Sequence, residues 1–322
     1  IRKCFLFFLI IPSITSVNSQ SNNYFHFKES SFDQDVFTSV EETKFERIIS
    51  AWELHSTAYI SSIVQDNYGF MWFGTNFGLV KFDGYNSKVI YGYKIYSQIN
   101  CIFKDKEGTI WIGTNGPNIG MYDEKSEKFI LIDIVDEMNF PQNDKVLSIK
   151  EDKTDDLIIG TSMSGFKIYD KKKKEFKHYY NKGDSLNKGI SSNSVLSVFT
   201  DRKGLIYIGT QDKGMYTFEK ESNVFTNYQN SLTDYKSISN NRIQCIYEDT
   251  YNNIWIGTKN GLNLFDKVNN SFIRFMNEVN NPASLSNNNI TSIIEDKNNE
   301  LWIATNGGGL NKLENDSTFS RF

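Results

Sequence analysis

The stretch DTYNNIWIGT, from Asp249 to Thr258, carries the pattern that decides the fold. In it, an aspartate is followed by a turn, an aromatic residue, an apolar residue, glycine and threonine. Successive copies lie 39, 47, 49, 48 and 47 residues apart and start at Asp66, Asp105, Asp152, Asp201, Asp249 and Asp296. A repeat length in the forties, built from short alternating runs, is typical of the blades of a β-propeller.

The third residue after each aspartate has a side chain that tolerates a positive φ angle. These residues are Gly69, Gly108, Asp155, Gly204, Asn252 and Asn299. The pattern therefore predicts a tight β-hairpin turn, in which the aspartate accepts hydrogen bonds from backbone N–H groups. On this interpretation the recurring aspartates are structural and do not represent six catalytic acids.

A strand precedes each aspartate, with Ile or Val six and three positions before it, as at Ile243 and Ile246. We expect these two positions to lie on opposite faces of an innermost strand that is buried on both sides. The residue four positions before each aspartate is small, as the crowded centre of a propeller requires. It is Cys101 or Cys245 in two units, and we expect these cysteines, three blades apart, to be too distant for a disulfide.

Two further strands complete each unit, for example GLNLFD (Gly261 to Asp266) and FIRF (Phe272 to Phe275). Four antiparallel strands per unit make one blade. The sequence thus predicts an all-β fold, a β-propeller over residues 45–322. Its six blades are expected near residues 60–93, 99–132, 146–180, 195–228, 243–275 and 290–322.

The segments before the first blade carry three further predictions. A basic start, an apolar core and small residues before Gln20 predict a signal peptide over residues 1–19. A polar lead-in follows over residues 20–44. The run FERI at 45–48 is similar to FSRF at 319–322 and is predicted to be a closing strand. Since propellers commonly close with a strand from the opposite end, we expect six blades of an incomplete seven-bladed propeller.

Candidate ligand-binding residues lie in the loops that follow each Gly-Thr pair, on the same face as the long connections between blades. Binding sites concentrate on loops held by a rigid scaffold. The candidates are Asn76, Asn115, Asn118, Gln211, Lys213, Lys259, Asn260 and Asn306. The alternative is that such residues only form turns.

Composition and motifs exclude several other functions. The formal net charge of −4 and the pI near 5.6 disfavour a nucleic-acid partner. The one dense basic run, Lys171 to Lys174, is predicted to be a solvated turn. His26, His55 and His178 lack a neighbouring ligand at metal-binding spacing, and no cofactor motif is present, so we expect neither a metal nor a cofactor.

The units resemble the two-component regulator propeller repeat. The resemblance is carried by ISNNRIQCIYEDTYNNIWIGTKNGLNLFD (Ile238 to Asp266) and LSNNNITSIIEDKNNELWIATNGGGLNKL (Leu285 to Leu313), and it extends over residues 45–322. It implies the N-terminal, periplasmic part of a membrane-bound sensor histidine kinase, in which paired seven-bladed propellers detect oligosaccharides. Contact with the membrane would then be made only by segments outside this chain.

We therefore expect a non-catalytic, exported, ligand-sensing propeller, with an oligosaccharide ligand and a homodimer formed through the propeller as candidate partners. Two alternatives stay open. A secreted glycan-active enzyme would need two carboxylates within about 10 Å of each other on the loop face. A protein-interaction propeller would present a flat, apolar loop face.

Overall fold

The computed structural model describes residues 59–90, 98–123, 126, 128–134, 141, 143–181 and 189–322. These residues form 24 strands in six antiparallel four-stranded sheets, and none of them lies in a helix. Within this part of the chain, therefore, no helix is long and apolar enough to cross a membrane. The predicted signal peptide (1–19), lead-in (20–44) and closing strand (45–48) lie outside the described residues.

Each sheet is one blade, and its four strands follow one another in sequence order. The first three blades comprise β1 (Ile60–Gln65), β2 (Met71–Thr75), β3 (Gly78–Phe82), β4 (Ser87–Ile90); β5 (Ile99–Lys104), β6 (Ile110–Thr114), β7 (Asn118–Asp123), β8 (Lys128–Asp133); β9 (Val146–Glu151), β10 (Leu157–Thr161), β11 (Phe166–Asp170) and β12 (Glu175–Tyr179). The last three comprise β13 (Val195–Thr200), β14 (Ile206–Thr210), β15 (Met215–Glu219), β16 (Val224–Tyr228); β17 (Ile243–Glu248), β18 (Ile254–Thr258), β19 (Gly261–Asp266), β20 (Ser271–Phe275); β21 (Ile290–Glu295), β22 (Leu301–Thr305), β23 (Gly309–Leu313) and β24 (Phe319–Arg321).

The first strand of each blade packs on the first strand of the next, from β1 through to β21. The prediction of an all-β propeller with four-stranded blades is confirmed. Within the described residues, β1 and β21 do not share the packing that joins the other neighbouring inner strands. The seventh blade stays a prediction.

The predicted hairpin turn is present in every blade. The third residue after the aspartate has a φ between 63° and 92° in all six turns, including Asp155 in the third blade. One carboxylate oxygen of the aspartate accepts backbone N–H groups, as Asp249 does from Tyr251 and Asn253, both at 2.9 Å. The aspartate therefore fixes the turn, as predicted.

The second carboxylate oxygen of the aspartate has a partner that the sequence reasoning did not foresee. In four blades it accepts the indole N–H of the tryptophan six residues on, and in the fourth blade it accepts a tyrosine hydroxyl. The distances are 2.8 Å for Trp72, Trp111 and Trp255, 3.1 Å for Trp302 and 3.2 Å for Tyr207. This bond ties the hairpin turn to an aromatic side chain that packs between blades.

The prediction that the two Ile/Val positions of the inner strand face opposite ways is wrong. Each first hairpin has a β-bulge, so that Ile243 pairs with Thr258 while Cys245 pairs with Gly257. The extra residue rotates the strand, and Ile243 and Ile246 pack in the same cluster against the fourth blade. The small residue, Cys245, faces the sixth blade instead, which is why the strand is still buried on both sides.

Cys101 and Cys245 are both free thiols. Burial raises the pKa of each to about 12. A Cβ added to Gly257 would lie 2.5 Å from the Cys245 sulfur, and one added to Gly113 would lie equally close to the Cys101 sulfur. The small side chain and the glycine opposite it thus meet in close contact, as the crowding argument predicts.

Candidate functional site

One end of the six sheets carries the loops between second and third strands together with the connectors between blades. We call this end the loop face and the opposite end the turn face. The residue after each recurring threonine lies here and bonds to the residue just before the inner strand of its own blade. The backbone N–H···O pairs are Asn115–Gln98, Ser162–Lys145 and Gln211–Ser194 at 3.0 Å, Lys259–Arg242 at 3.1 Å and Asn306–Asn289 at 2.8 Å. In the first blade the Asn76 side-chain oxygen accepts the Tyr59 N–H at 2.9 Å. We call these twelve residues the axial ring.

The recurring threonine holds each loop of the axial ring in shape. Thr258 donates its hydroxyl to the Gly261 carbonyl at 2.9 Å and accepts the Asn260 N–H at 3.0 Å. Gly261 has a φ of 111°, and its N–H reaches the Asn288 carbonyl in the next connector. Gly165 and Gly214 make the equivalent bonds to Asn193 and Asn241, so the loops of the third, fourth and fifth blades are tied to the connectors on both of their sides.

The connectors are built on a common plan. Asn230 is hydrogen-bonded within its connector. Its backbone N–H donates to the Asn241 side-chain oxygen at 2.7 Å, and its side-chain amide donates to the Ile238 carbonyl at 2.8 Å. Asn277 makes the same two bonds, to Asn288 and Leu285. The polar residues of these two connectors therefore serve the fold, as the turn-former alternative states.

An arginine of the outermost strand clamps the connector that precedes its own blade. Arg274 donates to the carbonyls of Asp234, Ser237 and Ile238, at 2.7 to 3.3 Å. Arg321 makes the equivalent bonds to Asn281, Ser284 and Leu285 in the next blade, at 2.8 to 3.1 Å. These arginines therefore fix the outer part of the loop face.

A buried side chain of the third strand holds the same connector from the inside. In the fifth blade the Asn263 oxygen accepts the Ser239 N–H at 2.9 Å, and in the sixth Asn311 accepts the Ser286 N–H at 2.8 Å. Lys167 donates to the Ile134 carbonyl at 2.9 Å from the same position in the third blade. In these blades the described part of the loop face is thus held by buried side chains.

The predicted site residues divide into three groups on the loop face. Asn76, Asn115, Gln211, Lys259 and Asn306 occupy the same place in the axial ring of their blades. Lys213 and Asn260 lie further out in the same loops, with exposed side chains. Asn118 differs, because it lies in the strand β7 and pairs with Asp133. Its side-chain amide nitrogen donates to the Asp133 carboxylate.

The sequence reasoning missed the other half of the axial ring. Lys145 and Arg242 stand directly before inner strands and reach the same rim as the predicted residues. The backbone hydrogen bonds between connector and loop show that these residues lie beside the predicted ones. In the sequence, the signal that could have found them is that both come immediately before the first Ile or Val of an inner strand.

A groove lies at the edge of the propeller between the fourth and fifth blades. This open groove has a volume of about 360 Å³ and is lined mainly by polar side chains. Tyr228 and Phe272 form its apolar part, and the Tyr228 hydroxyl donates to Asn270 at 3.0 Å. None of the predicted site residues lines it.

Acidic residues on the loop face are engaged in structural bonds. Asp144 is 1% exposed and accepts the Lys145 and Met163 N–H groups and the Ser162 hydroxyl. Asp212 accepts the Ser192 hydroxyl at 2.6 Å. Within the described ranges no group of three or more His, Cys, Asp or Glu side chains is placed to hold a metal ion.

Charged residues on the turn face form ion pairs between blades. Lys171 binds Asp105 at 3.1 Å and Glu151 at 2.7 Å, and its side chain is 15% exposed. The prediction of a solvated turn over Lys171 to Lys174 is therefore wrong for Lys171. Lys220 binds Asp152 at 2.5 Å from the equivalent turn of the fourth blade, and Lys267 binds Asp201 at 3.1 Å from the fifth. Each lysine therefore reaches back to the recurring aspartate of the preceding blade.

These ion pairs shift the protonation equilibria of their members. Burial raises the pKa of Asp152, but hydrogen bonds from Lys220 and Thr154 outweigh burial, and the net pKa lies below its ordinary value. Burial lowers the pKa of Lys220, but its bonds to Asp152 and Asp156 raise the net pKa above the ordinary value. Both groups therefore stay charged at neutral pH.

The family model of the two component regulator propeller matches residues 54–77, 94–116, 237–260 and 284–307. Each match ends in a loop after the recurring threonine, and the matches fall on the first, second, fifth and sixth units. Four of the six units therefore match the two-component regulator propeller repeat. No curated protein matches the sequence significantly.

Solved structures share the fold. A domain described as the extracellular part of a hybrid two-component system, BT3049 of B. thetaiotaomicron, is 25% identical with a TM-score of 0.59; the match covers 80% of this chain and 40% of that one. This chain thus spans less than half of that domain.

Two further structures share only the fold. Virginiamycin B lyase from Staphylococcus aureus is 13% identical with a TM-score of 0.61, over 82% and 83% of the two chains. PorZ, a surface component of the type-IX secretion system of Porphyromonas gingivalis, is 18% identical with a TM-score of 0.58, over 78% and 38%.

Proposed function

We propose that this chain is the exported, non-catalytic sensing part of a membrane-bound two-component sensor histidine kinase, and that its loop face binds an oligosaccharide. The similarity to an extracellular domain of a hybrid two-component system supports the sensor role. Binding would act by favouring one of two arrangements of the whole receptor, since a ligand shifts only states that it binds unequally.

One observation carries the choice of the loop face. Its connectors and loops are fixed by threonine, asparagine and arginine side chains, while the side chains of Asn115, Gln211 and Asn306 stay exposed on the axial ring. A rigid ring of amides and hydroxyls loses little conformational entropy when it binds a polar, hydroxyl-rich ligand. Among the described acids of the loop face, Asp144 and Asp212 are held in structural bonds and give the glycan-active enzyme no support.

The test is a binding screen of the purified chain against a panel of oligosaccharides, followed by calorimetry. We expect at least about tenfold weaker binding of a positive ligand after Asn115→Ala combined with Asn306→Ala, a loss of about 1.4 kcal/mol. Asn298→Ala, an exposed asparagine of the turn face, is the control and should leave affinity unchanged. Absence of binding across the panel, or equal losses for both variants, would contradict the proposed site.

The signalling part of the proposal has a separate test. We expect the reading frame of the gene to continue beyond Phe322 into an apolar span of about 20 residues and a kinase. A frame that stops within a few residues would refute the kinase connection while leaving the ligand screen intact.

A further inference from the structure

Four basic side chains lie on the loop face of three consecutive blades. Lys145 and Arg242 stand before the inner strands of the third and fifth blades, and the backbone of Lys259 bonds to that of Arg242 at 3.1 Å. Lys213 lies between them in the loop of the fourth blade, two residues beyond Gln211 of the axial ring. Lys145, Lys213 and Lys259 are exposed, and Arg242 is partly exposed. We call these four residues the basic arc.

The basic arc differs from three lysines on the turn face of the same blades in having no carboxylate partner. On the turn face, Lys171, Lys220 and Lys267 each bind a carboxylate within 3.1 Å. In the part of the chain that the structure describes, no carboxylate lies within ion-pair distance of any basic-arc residue. Because the protein as a whole has a net charge of −4, this concentration of positive charge is local.

The described acids next to the arc in sequence, Asp144 and Asp212, offset only part of its charge, because they are two carboxylates beside four cations. Asp144, next to Lys145, is buried and accepts three hydrogen bonds from the loop around it. Asp212, next to Lys213, accepts the Ser192 hydroxyl. A rigid rim with unpaired cations attracts anions and gains charge-assisted hydrogen bonds when they bind.

We propose that the basic arc makes the loop face selective for an acidic oligosaccharide, one that carries carboxylate or sulfate groups along the chain. The inference rests on the proposed function and specifies its ligand class. The exposed amides of Gln211 and Asn260 lie in the same loops as the lysines, so hydroxyls and anionic groups of one ligand can be bound together. Lysines spread over three blades fit charges that repeat along an extended ligand better than a single charge.

The test measures the affinity of the purified chain for three oligosaccharides of equal length: a polyuronate, a sulfated polymer and a neutral polymer. Lys213→Gln combined with Lys259→Gln should weaken binding of an acidic ligand at least tenfold more than binding of a neutral one. Raising the salt from about 0.05 M to about 0.5 M should weaken the acidic ligands only. Comparison of the polyuronate with the sulfated polymer identifies which anionic group the site takes.

The control variant is Lys172→Gln combined with Lys203→Gln, which removes two exposed positive charges from the turn face. It changes the net charge by the same amount as the Lys213→Gln, Lys259→Gln variant and should leave the affinity for every ligand unaltered. Equal losses in the two double variants would reduce the effect to overall charge and overturn the proposal. So would single-stranded DNA bound as tightly as the acidic sugars.

The remaining outcomes separate this inference from the proposed function. If the neutral oligosaccharide binds and the acidic ones do not, the loop face binds sugar but the basic arc does not select it. If no oligosaccharide binds at any salt concentration, both proposals fail. Circular dichroism of each variant verifies that it is folded before affinities are compared.

Discussion

At the scale of single residues, the recurring aspartate joins the hairpin turn to an aromatic side chain in five of the six blades. One oxygen of Asp249 fixes the hairpin turn and the other accepts the Trp255 indole N–H. Both groups are buried, and an unsatisfied buried donor costs about 1–3 kcal/mol. The aspartate is therefore a requirement of the blade, and its sixfold repetition has a structural cause.

Asp249→Ala should lower the free energy of unfolding by about 3 kcal/mol, because it leaves the indole and two turn N–H groups without an acceptor. Chemical denaturation followed by tryptophan fluorescence measures the loss. The matched control is Asp266→Ala, a partly exposed aspartate that caps the next hairpin turn through Val268 and Asn269. A loss for Asp249→Ala no larger than that of the control would contradict this role.

The pair Asp152–Lys220 gives stability that depends on pH. Because the folded-state pKa of Asp152 is lowered, its contribution is present above the unfolded-state pKa of about 3.9 and is lost as the pH falls through the folded-state value. Lys220→Met should therefore destabilise the chain by about 1–2 kcal/mol at pH 7 and by much less at a pH below the lowered folded-state pKa of Asp152. Urea unfolding of both proteins at several pH values tests this, and a pH-independent difference would contradict it.

At the scale of elements, the connectors are parts of the blades that follow them. The Phe272 N–H donates to the Lys236 carbonyl at 2.7 Å, and the Phe319 N–H donates to the Ala283 carbonyl at the same distance. These two connectors thus cover the edges of the outermost strands β20 and β24, which would otherwise expose unpaired N–H groups to other chains. Arg274 and Arg321 hold the covers in place.

Arg274→Ala should accelerate amide exchange at Phe272 by at least about tenfold, since bonds to a charged donor are worth about 1.5–3 kcal/mol. Exchange at Phe319 should stay unchanged. Arg321→Ala should give the reverse pattern, so each variant controls for the other. Equal acceleration at both amides would mean that the arginines stabilise the propeller generally instead of clamping individual connectors.

Elements defined by short-range rules could be predicted from the sequence. The turn at Asn252 follows from the few residue types that accept a positive φ, and the blade follows from the repeat length. The bulge at Gln244 could not be predicted, because it adds a residue without changing the apolar pattern. Lys171 was misjudged because its partner, Asp105, lies in another blade, and a local pattern contains no information about such pairs.

The candidate site was predictable in outline only. Placing Asn115 and Asn306 on one face requires only the antiparallel order of the strands. Recognising Lys145 as their neighbour requires the hydrogen bond between Ser162 and Lys145, which pattern analysis does not provide. Asn118 was assigned to the loop because the strand β7 begins earlier than the turn residues around it suggest.

At the scale of the whole molecule, each blade packs on its neighbours in series. In β13, the inner strand of the fourth blade, Val195 is 0% exposed and Val198 is 1% exposed. In β1, the inner strand of the first blade, Ile60 and Ile63 are only partly buried. Stability in such arrays is close to a sum of unit and interface contributions. The described blades should therefore differ in local stability.

Native-state hydrogen exchange should be at least about tenfold slower in β13 than in β1, because β13 is packed between β9 and β17. The measurement is exchange followed by mass spectrometry under native conditions. The strand β9, which also has an inner strand on each side, is the control and should be protected like β13. Equal protection of all inner strands would show that the described blades unfold as one unit.

The clamp between Arg274 and the preceding connector also defines what one portable module of this protein is. A blade cut out at Ile243 would leave its arginine without carbonyls to bind and its outer edge bare, whereas a segment from Asn230 to Phe275 carries both with it. Recombination or design that exchanges whole modules should therefore join chains just after an outermost strand. Joined there, a new blade brings its own piece of the loop face, and ligand preference can be changed one module at a time.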